Sequence, residues 1–559
     1  MITTLIATQI NNKSFSIKAF FERRARRLLP ALFLVMFISI PAAFLLLQPD
    51  ELENFGQSLV ATSLFSNNIL LILTSSDYWS IESEFKPLLH TWSLGVEEQF
   101  YLLFPFFMIF ITAYNLRIFL ITTILLISLA LFYYLNQLNL NFISFYSLPT
   151  RFWELMTGSL FAVWEVKNEK RTKKRNLIYD NAVSIIGIIL LFLALTSSNF
   201  IFKIDSRFLP IIAVISTLIL IIFAHKETLI GKFLSNFWLV AIGLGSYSIY
   251  LWHQPILAFI RSTSINEPSN LILIFGILLA LILSIFSYQI EKVFRFNNFL
   301  SSKNFAVLVA AFMTLFISVG SIFHFTSGFY NSHDELRSEF SLSTKGNKNS
   351  GYVDSAFEYL DREFADNKKS NLLFIGDSFA RDLIMMGKAN DFFQNSEVSY
   401  LNFNCEELSK FKFPNNPISI NNADLIIVSY RLLEVDEEKA CLIDQLSYIK
   451  EINNNFLVVG PKDYGYNINM PFKKKDYEFK ARVSDDIIEF NNFLNDLIPD
   501  QKFIDLIDLL EEEENFLPLF TPNRKLMTTD KKHFTPHGSK YAGKILFDYL
   551  ELQNIYKIQ

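Results

Sequence analysis

Apolar residues dominate the chain up to Phe325 and thin out sharply after it. Before that point they recur in long runs, several of them long enough for a helix to cross about 30 Å of hydrocarbon. Nine spanning helices are predicted, over 28–48, 99–114, 118–135, 150–166, 180–197, 208–224, 238–258, 270–290 and 304–324. A tenth apolar run, 56–74, is weaker, with Ser66, Asn67 and Asn68 in its middle. After Phe325 the pattern changes. Residues 326–370 are rich in Ser, Asn, Lys, Gly and acidic side chains and read as a linker. Beyond them, short apolar runs at Leu372–Ile375, Asp424–Ser429, Phe456–Gly460 and Phe503–Leu506 alternate with amphipathic stretches. Strands alternating with helices predict a parallel α/β sheet. The expected organisation is a polytopic α-helical membrane domain over 1–325, a linker over 326–370 and a soluble α/β domain over 371–559.

Basic residues orient the helices. Arg23, Arg24, Arg26 and Arg27 precede the first predicted span, and a dense basic loop, Lys167 to Arg175, follows the span at 150–166. Both belong on the cytoplasmic side by the positive-inside rule. An even number of crossings must join them, so 56–74 is expected to be re-entrant or interfacial. Five further spans then place the soluble domain on the outer face and His90 near that face.

Composition adds little else. The chain has 559 residues, 51% of them hydrophobic, with 59 Phe. A net charge of -5 gives no sign of a nucleic-acid partner. The N-terminus lacks the basic stretch and small-residue cleavage site of a removable signal peptide. The two cysteines, Cys405 and Cys441, both fall in the soluble half. An outer location favours a disulfide between them; the alternative is two unrelated thiols.

The first strand of the soluble half ends in Gly376-Asp377-Ser378, and Asp530-Lys531-Lys532-His533 precedes the last predicted helix. Parallel sheets bind ligands at the carboxyl ends of their strands, where Ser378 falls. A serine nucleophile needs a base and a group that orients the base. Asp530 and His533 are placed to supply them, whereas His537 suits a surface or supporting role. Either motif alone also fits a capped turn; the two together, at the first strand and before the last helix, point to catalysis.

The soluble half, over about 371–550, resembles an SGNH-type hydrolase domain, a compact flavodoxin-like three-layer α/β fold. The resemblance implies Ser378 as nucleophile with His533 and Asp530 as its base and orienting acid. That family also uses a Gly and an Asn in its oxyanion hole, and no clear counterpart to either block is found. The backbone N–H of Ser378 is the first candidate donor, with Asn404 and Arg431 behind it.

Ionisable residues inside membrane segments are costly and usually functional. Here they cluster in HTWSLGVEEQFY, carrying His90, Trp92, Glu97 and Glu98, in RFWELMTG, carrying Arg151 and Glu154, and in SYSIYLWHQP, carrying His253. Interfacial anchoring and structural ion pairing would account for Arg151 with Glu154, and less readily for His90, Glu97 and Glu98 together. With RRARRLLP at Arg23–Pro30, these motifs resemble the membrane acyltransferase-3 family. More narrowly, they resemble its members fused to an SGNH domain, the O-antigen and surface-polysaccharide O-acetylase type. The resemblance implies acetyl-CoA as cytoplasmic acyl donor, an envelope glycan such as lipopolysaccharide O-antigen as acceptor, a lipid bilayer as setting and no metal. It also implies a bacterial cytoplasmic membrane with the C-terminal domain outside. Independently, an arginine cluster suits the phosphates of CoA. Family members open with two further helices, the first bearing an arginine and the histidine assigned to acyl transfer. Met1–Ile6 resembles the tail of the second, so those helices are expected to be missing here, with His90 and His253 as possible stand-ins. The leading expectation is an O-acyltransferase. The alternatives are a membrane-tethered carbohydrate esterase using only the SGNH domain, and a transporter with a decayed tail.

Overall fold

The computed structural model describes residues 2–74, 83–111, 113–138, 140–168, 176–196, 207–296, 299–337, 348–365, 369–403, 418–433, 436–498 and 502–553. Its contacts divide the chain into two units. The first comprises 1–41, 55–258 and 270–322, and the second 42–54, 259–269 and 323–559.

The first half of the chain is helical: α1 (Ile2–Asn11), α2 (Ile17–Leu46), α3 (Pro49–Ser63), α4 (Asn67–Thr74), α5 (Thr91–Phe110), α6 (Tyr114–Gln137), α7 (Asn141–Tyr146), α8 (Leu148–Asn168), α9 (Leu177–Thr196), α10 (Leu209–Phe223), α11 (Leu229–Leu234), α12 (Phe237–Thr263), α13 (Asn270–Phe296) and α14 (Ser302–Phe325). Each predicted span falls on one of these helices. Among the described residues, α2, α6, α9, α13 and α14 are long and apolar enough to cross a membrane. The chain is a multi-pass membrane protein. Its first unit has an apolar core of Ile6, Phe20, Phe100, Phe104, Met108, Ile121 and Met156.

One sequence expectation changes, and the weak run 56–74 takes a definite form. Arg23, Arg24, Arg26 and Arg27 do not precede the first span but ride on it, because α2 starts at Ile17, with no helix breaker between Ser16 and Pro30. The run 56–74 is not one helix: it breaks between Ser63 and Asn67, where Phe65 has φ 52°. Side chains from α5 satisfy the break, Gln99 Nε2 donating to Phe65 O at 2.9 Å and to Asn68 Oδ1 at 2.8 Å. Asn67 donates to Leu88 O and to Thr91 Oγ1, each at 2.9 Å. Of the basic loop, residues 169–175 lie outside the described residues.

The second unit carries strands β1 (Ser370–Gly376), β2 (Ser396–Asn402), β3 (Leu425–Ser429), β4 (Phe456–Val459), β5 (Lys480–Arg482), β6 (Phe503–Ile504) and β7 (Phe516–Pro518). Its helices are α15 (Lys348–Asp354), α16 (Ser378–Ala389), α17 (Ile418–Asn422), α18 (Asp436–Ile452), α19 (Asn469–Lys474), α20 (Asp485–Leu497), α21 (Leu506–Leu510) and α22 (Pro536–Leu552). Five strands form a parallel sheet in the order β2-β1-β3-β4-β6, and β5 pairs antiparallel with β7. The continuous apolar runs of β1 and β3 are buried, as strands covered on both faces require.

Part of the stretch 326–370 is helical among its described residues. It contains a short turn of helix at Tyr330–Ser332, then α15 and a further helical turn at Ser355–Tyr359. Val353 and Ala356 are fully buried within the second unit. Few apolar residues suffice for this, so composition concealed it. Residues 338–347 and 366–368 of this stretch lie outside the described residues.

Candidate active site

The end of β1 delivers Ser378. Gly376 has φ 145°, and a Cβ there would lie 1.9 Å from Ser429 O of β3. Only glycine tolerates both that backbone and that approach. Asp377 caps α16, its Oδ1 accepting from Phe379 N at 2.9 Å and its Oδ2 from Arg431 N at 3.0 Å. Tyr400 of β2 donates its hydroxyl to the carbonyls of Gly376 and Asp377, both at 3.1 Å. The turn is held from both neighbouring strands, and Ser378 becomes the first residue of α16.

The turn before α22 delivers the base. Thr535 caps that helix, accepting from Gly538 N at 3.1 Å, with Pro536 at its first position. Lys531 adopts a left-handed conformation, φ 72°, which folds Asp530 back onto His533. Asp530 Oδ1 accepts from the backbone N–H groups of Lys532 (2.9 Å) and His533 (2.8 Å). Its Oδ2 lies 2.8 Å from His533 Nδ1. The other ring nitrogen, Nε2, lies 2.7 Å from Ser378 Oγ. With Nδ1–H donating to the carboxylate, Nε2 is the tautomer's acceptor for the serine proton. Ser378 and His533 are each 1% exposed, so the contact is shielded from water. Burial opposes the charge on Asp530, but the His533 charge and the three hydrogen bonds outweigh it and hold the carboxyl well below the usual range.

Sequence reasoning missed a second tie. Lys462 Nζ lies 3.0 Å from Asp382 Oδ2 and also donates to Lys532 O. Asp382 accepts in addition from Phe534 N at 3.1 Å. Asp382 stands one helical turn after Ser378, so it joins the serine helix to the backbone on both sides of His533. Only position hinted at this: Lys462 stands two residues after the apolar run that ends at Gly460, just past the carboxyl end of β4.

The other candidates sort as follows. The Ser378 N–H sits in the first turn of α16, where helical partners are lacking. Asn404 and Cys405 lie outside the described residues, and Cys441 is disulfide-bonded. Arg431 turns to Asp377, its backbone N–H bound there and its Nε 3.9 Å from Oδ2. His537 stands apart from the triad, its Nε2 3.0 Å from Arg337 O.

In the membrane unit the candidates fall into three groups. Arg24 pairs with Glu98, its guanidinium stacked 3.6 Å from the Tyr101 ring centre. Arg24, Arg27, Glu97, Tyr101, Tyr247 and Tyr250 line a cavity of about 390 Å³. Arg23 is exposed, while Arg26 is buried against Glu22 and Leu300 O. Second, His90 and His253 face one another at 5.3 Å between ring centres, with Tyr250 4.9 Å from His90. Tyr250 donates to His90 O and shares a 2.9 Å hydrogen bond with Ser93. Among the described residues, neither ring nitrogen of the buried His90 has a hydrogen-bond partner of good geometry. Third, Arg151 pairs with Glu154 at 2.8 Å and stacks 4.9 Å from Trp92. Among the described residues no cluster of three or more His, Cys, Asp or Glu is arranged to hold a metal.

The acyltransferase domain family (acyltransferase-3) matches residues 1–289, which contain all three groups. The chain belongs to this acyltransferase family. A Staphylococcus aureus (strain COL) protein named as an O-acetyltransferase is 30% identical over 310 residues, 53% of this chain and 50% of its own length. O-acetyltransferase OatA of S. aureus (strain NCTC 8325) is 28% identical over 321 residues, 55% of this chain and 52% of its own. The chain thus spans about half the length of the curated relatives it matches. No solved structure matches it.

Proposed function

We propose that this family member is an O-acyltransferase that moves an acetyl group from cytoplasmic acetyl-CoA to a hydroxyl of a cell-envelope polysaccharide such as lipopolysaccharide O-antigen. In this reading residues 371–559 are an SGNH-type domain on the outer face of a bacterial cytoplasmic membrane, and the membrane unit supplies the acyl group. The observation that carries the reading is the unbroken line from Ser378 Oγ through His533 to Asp530 in a chain of this family.

The chemistry follows from that line. Ser378 Oγ attacks the acyl carbonyl as His533 Nε2 takes its proton, and the leaving group departs with that proton. The product is an ester on Ser378. A sugar hydroxyl then attacks the ester, His533 accepts its proton, and Ser378 is restored. The Ser378 N–H is the first donor to the oxyanion. In the membrane unit, Arg24 and Arg27 offer guanidinium groups to the CoA phosphates at the cavity they share with Glu97. His90, His253, Trp92, Arg151 and Glu154 act in that unit's passage of the acyl group.

The test is acyl labelling. Inverted vesicles given radiolabelled acetyl-CoA should label Ser378, and Ser378→Ala should abolish the label. Release of acetate from a model ester, with no labelling from acetyl-CoA, would favour the tethered esterase instead.

A further inference from the structure

Beside the edge strand β6 lies a cavity of about 260 Å³ that the triad does not use. Asn491, Asn492 and Asn495 of α20 line it, with Asp505, Asp508 and Tyr549. Asp505 directly follows β6. Asn491 donates to Asp505 Oδ1 at 2.9 Å and to the carbonyl of Pro461, two residues past β4, at 3.1 Å. Because β1, β3, β4 and β6 are parallel neighbours, this wall stands at the same end of the sheet as Ser378. Two to three strand spacings separate them, about 10–14 Å.

The chemistry of the walls selects the ligand. Among the described residues no lysine or arginine lines the cavity, so none of them answers a phosphate or CoA there. The amides offer both donors and acceptors. Asn491 is 2% exposed, its Nδ2 held by Asp505 and Pro461 and its Oδ1 packed against Gly460, so the amides open to a ligand are those of Asn492 and Asn495. Tyr549 adds an aromatic ring with a polar tip. A neutral, polyhydroxylated ring meets each of these groups. We propose that the cavity is a carbohydrate subsite, holding one neutral sugar of the acceptor chain while another sugar of the same chain lies at Ser378. The proposal rests on the O-acyltransferase reading above and assigns the acceptor's grip to α20 and the end of β6.

The test uses the full chain in lipid nanodiscs with two neutral probes, maltotetraose and a tetramer of β-1,4-linked N-acetylglucosamine. Asn492 and Asn495 are exposed, so Asn492→Ala and Asn495→Ala should fold. At least one probe should bind the unchanged protein, and each variant should weaken that binding by about tenfold, the equivalent of one lost hydrogen bond at the upper end of its usual worth. The KM for that oligosaccharide as acceptor should rise in parallel. Hydrolysis of 4-nitrophenyl acetate reports the serine site separately. Ester turnover with unaltered sugar binding in both variants overturns the subsite alone, whereas no ester turnover overturns the serine reading. Failure of both probes to bind, or binding of Ca²⁺ in place of sugar that Asn492→Ala removes, also overturns the subsite.

Discussion

Lys462 Nζ and Asp382 Oδ2 form a buried ion pair, 3.0 Å apart, with the two side chains 1% and 3% exposed. The pair joins the helix that begins at Ser378 to the turn that holds His533. Charges so placed are tolerated only when paired and hydrogen-bonded, and the carbonyl of Lys532 and the N–H of Phe534 complete that set. Removing one partner strands the other. Lys462→Met should therefore destabilise the second unit by about 3–5 kcal/mol. In protein that still folds, it should lower kcat for ester hydrolysis with little change in KM. Thermal melting and steady-state kinetics check the two parts, and Lys462→Arg should restore part of the loss.

Asp530 predicts a pH dependence. Its pKa is lowered in the folded protein, since the His533 charge and the hydrogen bonds outweigh its burial. A depressed carboxyl stabilises the fold fully above its unfolded value of about 3.9 and loses that contribution as pH falls through the lower folded value. Acid unfolding of Asp530→Asn, compared with the unchanged protein, should show a stability difference above about pH 4 that shrinks below it. Activity should fall about ten-thousand-fold in the variant, the size expected when the base loses its orienting carboxylate.

How legible was all this in the sequence? Ser378 could be placed because a strand end and a helix start are local signals, and Asp530 with His533 because they sit three residues apart on one turn. Lys462 and Asp382 are 80 residues apart and meet only when β4 and α16 are assembled, so no local pattern announces them. The membrane helices were legible from their apolar runs, but their ends were not. Charged residues such as Arg24 and Arg26 extend a helix as readily as they end an apolar run, which moved the start of α2 back to Ile17.

Gly376 admits no side chain. Gly376→Ala would bring a Cβ to within 1.9 Å of Ser429 O in a backbone region closed to other residues. The variant should lose ester turnover and melt at lower temperature, the backbone strain alone being about 1–3 kcal/mol. Circular dichroism melts and ester hydrolysis check this.

Cys441 is disulfide-bonded. Cys441→Ser should lower the stability of the second unit by about 3–4 kcal/mol on the chain-entropy account. Melting the unchanged protein with and without reductant should reproduce the shift, and the variant should be insensitive to reductant.

The arginine cavity separates the two halves of the proposed reaction. Arg24→Ala removes the guanidinium that meets Glu98 and Tyr101 at the cavity wall. It should raise the KM for acetyl-CoA by about tenfold or more, the worth of a charge-assisted hydrogen bond. Acetyl-CoA titration of acyl transfer in vesicles measures it.

The most direct test of the account is the fate of the acyl group at Ser378. Vesicles holding the full chain, given labelled acetyl-CoA on the cytoplasmic face and no acceptor, are digested and the peptide containing Ser378 is analysed by mass spectrometry. The account predicts an acetyl ester on Ser378 that is absent in Ser378→Ala and His533→Ala and disappears when acceptor glycan is added. An unmodified Ser378 in protein that still transfers acetyl groups to the glycan would contradict it.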